Sequence, residues 1–111
     1  MHILLVDDQR ELKSDQGIIA RDYWSAIYLL EICPPFDVLE LDNDLGNFDE
    51  NGREWMGYDI LNWFEQHMDK LPGKIIIITA NIVMKPKMQA AVKRLYSEKN
   101  NETSNQDPKV A

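Results

Sequence analysis

A single cysteine, Cys33, stands among 111 residues, so no internal disulfide is possible. The fold must be held by its core alone, as is usual in a reducing compartment. Cys33 precedes Pro34-Pro35 at an expected helix end, where a packing role suits a free thiol better than reactivity. No apolar run nears the ~18 residues of a membrane span. The chain opens on Ile3-Leu4-Leu5-Val6 without a basic flank or a small-residue cleavage site, which reads as a soluble, cytoplasmic protein. No internal repeat is visible. The one low-complexity stretch, Asn100 to Ala111, is polar, lacks periodicity and contains Pro108, so residues 100–111 are expected to form a disordered tail behind a single domain over 1–99.

Hydrophobic residues make up 44% of the chain and charged residues 28%, an ordinary globular composition. The net charge of -7 is unevenly spread. Residues 1–60 carry fourteen acids against four bases, whereas residues 70–99 carry seven bases and one acid, Glu98. An acidic part followed by a basic helix can draw a metal to one side and a phosphate to the other, although a solvated basic helix face would look the same. A general nucleic-acid binder is disfavoured by the overall acidity.

Strand and helix signals alternate. Ile3 to Val6 and Ile75 to Ile78 are short continuous apolar runs, the pattern of parallel strands with helices over both faces. Val38-Leu39-Glu40-Leu41 is a third strand, with Glu40 unassigned, and Gly17-Ile18-Ile19-Ala20 is the weakest candidate. Asp22 can cap a helix over about 23–33 whose Tyr23, Ile27 and Leu30 share a face until Pro34-Pro35 stops it. Ile60, Leu61, Phe64 and Met68 define a second helix over 58–69, ended by Leu71-Pro72-Gly73. Met88, Ala91, Val92 and Leu95 define a third over 86–98, with Pro86 in its first turn. Trp24, Trp63 and Phe64 fit core or helix cover. The alternation implies a doubly wound open α/β sheet with right-handed crossovers. Residues 7–17 are too short and polar for a crossover helix, so a turn or stub is expected there.

In such sheets functional groups collect beyond the carboxyl ends of the strands. Asp7-Asp8 follows the first strand, Asp42-Asn43-Asp44 the third, and Thr79-Ala80-Asn81 the fourth. Carboxylates from neighbouring strand ends repel one another unless a cation joins them, and hard oxygen donors suit Mg²⁺. Acids after strands can also simply cap turns, but two clusters on two apolar strands favour a metal site.

Ile3-Leu4-Leu5-Val6-Asp7-Asp8, Phe36 to Asp42 and Ile75-Ile76-Ile77-Ile78-Thr79-Ala80 resemble the signature strands of response-regulator receiver domains. The resemblance covers residues 1 to about 96. It implies a flavodoxin-like parallel sheet, truncated to four strands in the order 2-1-3-4. It also implies that Asp7 and Asp8 hold Mg²⁺, that Asp42 is the phosphoryl acceptor, and that Thr79 is the hydroxyl that senses it. The fifth strand and its lysine are missing, and the segment from Gly46 to Met56 is longer than the usual receiver loop.

The sequence is similar, more narrowly, to the short receiver-like family of cyclic-phosphate processing domains, often found in phages and bacteria. The matching features are Asp7-Asp8-Gln9-Arg10, Arg21, Leu41-Asp42-Asn43-Asp44-Leu45-Gly46, Gly57-Tyr58-Asp59 and Ala80-Asn81. This resemblance adds Asp44 to the metal acids and brings Arg10 and Asn81 to the phosphate. Lys85 and Lys87, after the fourth strand, are expected to replace the missing lysine as a phosphate grip. The family usually has a histidine just before the hydroxyl residue; here that residue is Ile78, and His2 and His67 do not stand in for it by position.

Three functions follow as expectations. The first is Mg²⁺-dependent phosphate chemistry: binding, transfer to Asp42, or hydrolysis of a phosphoester. The second is a non-enzymatic module gripping a protein partner, for example a phage-type inhibitor of a host protein. The third is an ordinary phosphoacceptor receiver, disfavoured by the missing lysine.

Overall fold

A computed structural model describes residues 2–12 and 17–105, the side chains of 101–105 excepted. Its elements run β1 (Ile3–Val6), β2 (Gly17–Ala20), α1 (Tyr23–Ile32), β3 (Val38–Leu41), β4 (Asn47–Phe48), β5 (Glu54–Trp55), α2 (Gly57–Glu65), a 3-10 turn (Met68–Lys70), β6 (Lys74–Ile77) and α3 (Met84–Asn105). The main sheet has the order β2-β1-β3-β6, and all three pairings are parallel. The expected order of four strands is therefore observed. The register aligns Leu4 with Ile18 and Leu39, Leu39 with Ile75, and in the next row but one Val6 with Ala20 and Leu41, and Leu41 with Ile77.

Because side chains alternate along a strand, those two rows point to one face of the sheet. That face carries the core. Leu4, Val6, Leu39 and Leu41 are completely covered by Ala26 and Leu30 of α1, Ile60, Leu61 and Phe64 of α2, and Met88, Ala91 and Leu95 of α3, all members of one cluster. Each such side chain contributes roughly 1.5–3 kcal/mol on burial, which is enough to hold the sheet without a disulfide.

The expectation of helices over both faces is not met among the described residues. All three helices pack into the same cluster. The cause lies in the strand order. Passing from β2 to β3 and from β3 to β6 moves the same way across the sheet, and right-handed crossovers moving the same way place their helices on the same side. Only the β1-to-β2 connection moves the other way, and its described residues, 7–12, form no helix. Leu12 instead folds back over Gly17, where a Cβ would collide with it. The expected stub is thus seen in part; residues 13–16 lie outside the described residues.

Other boundaries shift for local reasons. The second helix ends at Glu65, because Gln66 and His67 donate to the carbonyls of Trp63 and Phe64, three residues back, and tighten the chain. His67 then stacks on Trp63, centroids 3.9 Å apart. The fourth sheet strand is Lys74–Ile77, although Ile78 still donates to Leu41 O at 3.0 Å. The long segment after β3 contains a small antiparallel hairpin, β4–β5, which alternation over two residues could not announce. Helix α3 continues to Asn105, past the expected end at 98; the rest of the expected tail, 106–111, lies outside the described residues. Cys33 packs half-buried against the core, and its N–H closes α1 onto Leu29 O.

Candidate metal centre at the carboxyl edge of the sheet

Backbone hydrogen bonds carry the sheet ladder one step past the strands. Asp7 N donates to Ala20 O at 3.1 Å and Asp42 N to Val6 O at 2.9 Å. Parallel pairing of β1 with β3 thereby sets the first residues after both strands side by side. One carboxylate oxygen from each of Asp7, Asp8 and Asp42 lies within 4.8 Å of the others. Asp7 is buried, 2% exposed, Asp42 half-buried and Asp8 exposed, so the cluster opens to solvent on one side.

The carboxylate of Asp7 is divided in its tasks. Its Oδ1 accepts from the N–H groups of Gln9 and Arg10, at 2.8 and 2.9 Å, and so shapes the turn after β1. Its Oδ2 is buried and accepts no hydrogen bond; Arg10 Nε lies 3.3 Å away as an ion-pair contact only. A buried anionic oxygen left in that condition is costly. Arg21 secures the same turn from β2, its Nη1 donating to the carbonyls of Asp7 (3.3 Å) and Arg10 (2.5 Å) while Nη2 meets Glu11 at 3.1 Å.

Burial raises the pKa of Asp42, and the nearby charges of Asp7 and Asp44 push the same way. Hydrogen bonds from the Thr79 hydroxyl and the Asn43 N–H oppose them. Thr79 is itself buried, and the hydroxyl following β6 lies near the acid following β3. Asp44 stands apart from the three clustered acids. Its oxygens accept from Asn81 Nδ2, at 3.3 and 3.4 Å, and from Asn43 Nδ2 at 3.3 Å. Asn81 also satisfies the start of α3, its Oδ1 accepting from Val83 N (3.1 Å) and Met84 N (3.0 Å). Lys85 and Lys87 occupy the first turn of α3 and are exposed, with no side-chain hydrogen bond or ion pair drawn among the described residues.

Two supports of the site had no assigned role in the sequence. Asn43 is fully buried, and its Oδ1 and carbonyl receive the N–H groups of Tyr58 (3.1 Å) and Gly57 (2.9 Å). The start of α2 is thus tied to the β3 loop. Gly57 lies so near that a Cβ would penetrate the Asp42 carbonyl, which explains a glycine where the φ angle does not demand one. The signal was the pairing of Asp42-Asn43 with Gly57-Tyr58, but only proximity gives it a reason. Glu40 aligns with Leu5 and Ile76 on the helix-free face.

Three oxygen donors converging from two strand ends, one of them buried and unsatisfied, fit a hard divalent cation better than they fit one another. No helix among the described residues is long and apolar enough to cross a membrane. The sequence model of the cyclic-phosphate processing receiver domain matches residues 2–94. No curated protein and no solved structure matches the chain.

Proposed function

Because this chain belongs to the family of cyclic-phosphate processing receiver domains, we propose that its acidic pocket holds Mg²⁺ and uses it to bind, and turn over, a phosphate compound of the cyclic type. The observation that carries the reading is the buried, hydrogen-bond-free Oδ2 of Asp7 within a three-carboxylate cluster. Asp7, Asp8 and Asp42 would hold the ion. Bound there, Mg²⁺ would supply charge neutralisation and polarise a phosphate oxygen.

The remaining roles belong to side chains. The buried Thr79 hydroxyl, beside Asp42, would keep that carboxylate oriented. Arg10, half-exposed and anchored on Asp7, can turn its guanidinium to a phosphate oxygen, and Lys85 and Lys87 can reach the same region from α3. With Ile78 where the family has histidine, no imidazole stands beside Thr79, and the metal and the positioning of the phosphate would carry the catalysis.

Thermal melting against Mg²⁺ tests the metal, and a panel of cyclic nucleotides followed for ring opening or phosphate release tests the chemistry. Metal at ten times its Kd should stabilise the protein by about 1.4 kcal/mol. An unchanged melting temperature at millimolar Mg²⁺ would remove the metal reading. A Mg²⁺-stabilised protein that neither binds nor converts any member of the panel would leave a metal site without the proposed substrate class.

A further inference from the structure

Helix α1 is apolar on two opposite sides. Its inner side, Tyr23, Ala26, Ile27 and Leu30, is buried in the core. Its outer side presents Trp24, Tyr28 and Ile32 with 56, 62 and 59% of their surface exposed. At ~100° per residue these three fall within a sector of about 80°, along about 12 Å of helix. Trp24 is not an incidental member, since it packs edge-on to Tyr23, 4.9 Å between centroids, and against Trp55 at 5.1 Å. Trp55 is in turn stacked on Tyr23 and covered by Arg53, 3.6 Å above the ring. The ridge is therefore braced at one end by a rigid aromatic cluster.

Three large apolar side chains in this condition expose on the order of 300–400 Å². Scattered apolar residues on a surface need no explanation, but a continuous i, i+4, i+8 row does, because that row is the one that enters the groove of another helix. A helix apolar all round ordinarily lies inside a protein. Among the described residues nothing covers this side.

Charge selects the occupant. Residues 1–60 hold fourteen acids and four bases. Three of those bases are already engaged, Arg10 with Asp7, Arg21 with Glu11 and Arg53 with Asp59. Asp22 and Glu31 flank the row and α1 carries no base of its own, while Lys70 at its C-terminal end is turned onto the carbonyls of Glu31 and Cys33. A second copy of this chain, brought α1 to α1, would set acid against acid. Its basic helix α3 buries its large apolar residues Met88 and Leu95, and the exposed pair before it, Ile82 and Val83, are adjacent residues outside the helix that form no i, i+4 row to match the ridge. We propose that the Trp24–Tyr28–Ile32 ridge docks an amphipathic helix of another protein, with its own apolar stripe flanked by lysine or arginine.

The probe is a synthetic 16-residue helical peptide with leucines at positions 1, 5, 8 and 12 and Lys or Arg elsewhere, titrated into ¹⁵N-labelled protein. A matched peptide with Glu replacing every base is the control. The basic peptide should shift the amide signals of α1 and bind about tenfold tighter than the acidic one, and Tyr28→Glu should weaken it by about tenfold. Tyr28→Glu adds negative charge, so binding driven by charge alone would strengthen or stay unchanged in this variant, and that result would overturn the proposal. Equal binding of both peptides would overturn it as well. So would a wild-type dimer, seen by sedimentation equilibrium, that Tyr28→Glu dissociates, for the occupant would then be a second copy. Ile32→Ser, which removes apolar surface without adding charge, should weaken the basic peptide in the same direction, and it serves if Tyr28→Glu does not fold.

Discussion

Asn81 joins two structural tasks in one side chain: its Nδ2 spans both carboxylate oxygens of Asp44, at 3.3 and 3.4 Å, while its Oδ1 receives the first free N–H groups of α3. The loop after β3 and the helix after β6 are thereby linked across the mouth of the acidic pocket. Asn81→Ala removes both contacts and should cost about 0.5–2 kcal/mol, the usual range for a lost helix cap. Asn81→Asp keeps the cap oxygen but sets a second negative charge against Asp44. It should lie near Asn81→Ala in urea denaturation at low salt and recover as salt is added. An Asp variant insensitive to salt would show that the Asp44 contact contributes nothing.

Asp42 should reveal its burial through pH. Its raised pKa means that the folded protein holds this proton more tightly than the unfolded chain. Ionisation of Asp42 therefore costs stability. The cost is fully present above the folded-state pKa and is lost as pH falls below the ordinary carboxylate value. Asp42→Asn has no charge to bury, so it should melt above wild type at pH 7, by an amount that shrinks toward zero as pH falls below about 3. Saturating Mg²⁺ should close the gap at pH 7 by stabilising wild type alone. A difference constant with pH would show that charge burial is not what the substitution relieves.

Gly57→Ala places a methyl group into the Asp42 carbonyl. The obstacle is backbone, which cannot turn aside, so α2 or the β3 loop must move. Overpacking of this kind typically costs 1–3 kcal/mol, and here the displaced atom belongs to a member of the acidic cluster. Calorimetry should record a lower melting temperature, and the Mg²⁺-induced rise should be smaller than in wild type. Wild-type stability in this variant would contradict the tight approach.

Lys70 reaches the open end of α1, its Nζ donating to the carbonyls of Glu31 at 3.2 Å and Cys33 at 2.9 Å. That helix has no basic residue in its own last turn, so a distant ammonium answers its terminal dipole. Lys70→Met retains most of the side chain's bulk and removes the charge, and should cost about 1 kcal/mol in chemical denaturation. Lys70→Arg should retain most of that stability; a loss equal to that of Lys70→Met would mean that packing, not charge, ties the two segments.

Much of this protein was legible in one dimension. Four short apolar strands, acids directly after two of them and Thr79 after the fourth named the sheet and the chemistry of its edge, because a parallel strand buried by helices must be apolar and must end where polar groups can reach solvent. Residues such as Asn43 and Gly57 were visible only as letters in a motif, since their value is proximity: one is a buried knot between two loops, the other a gap that the Asp42 carbonyl fills. The hairpin Asn47–Trp55 was too short for any period to register. The placement of all helices on one face was implicit in the missing first crossover, but it took the strand order to make that absence decide a side. Which acids lie close together was likewise decided in three dimensions. Parallel pairing of β1 and β3 brings Asp7, Asp8 and Asp42 together, whereas Asp44, two residues further along the turn, is drawn off by Asn81.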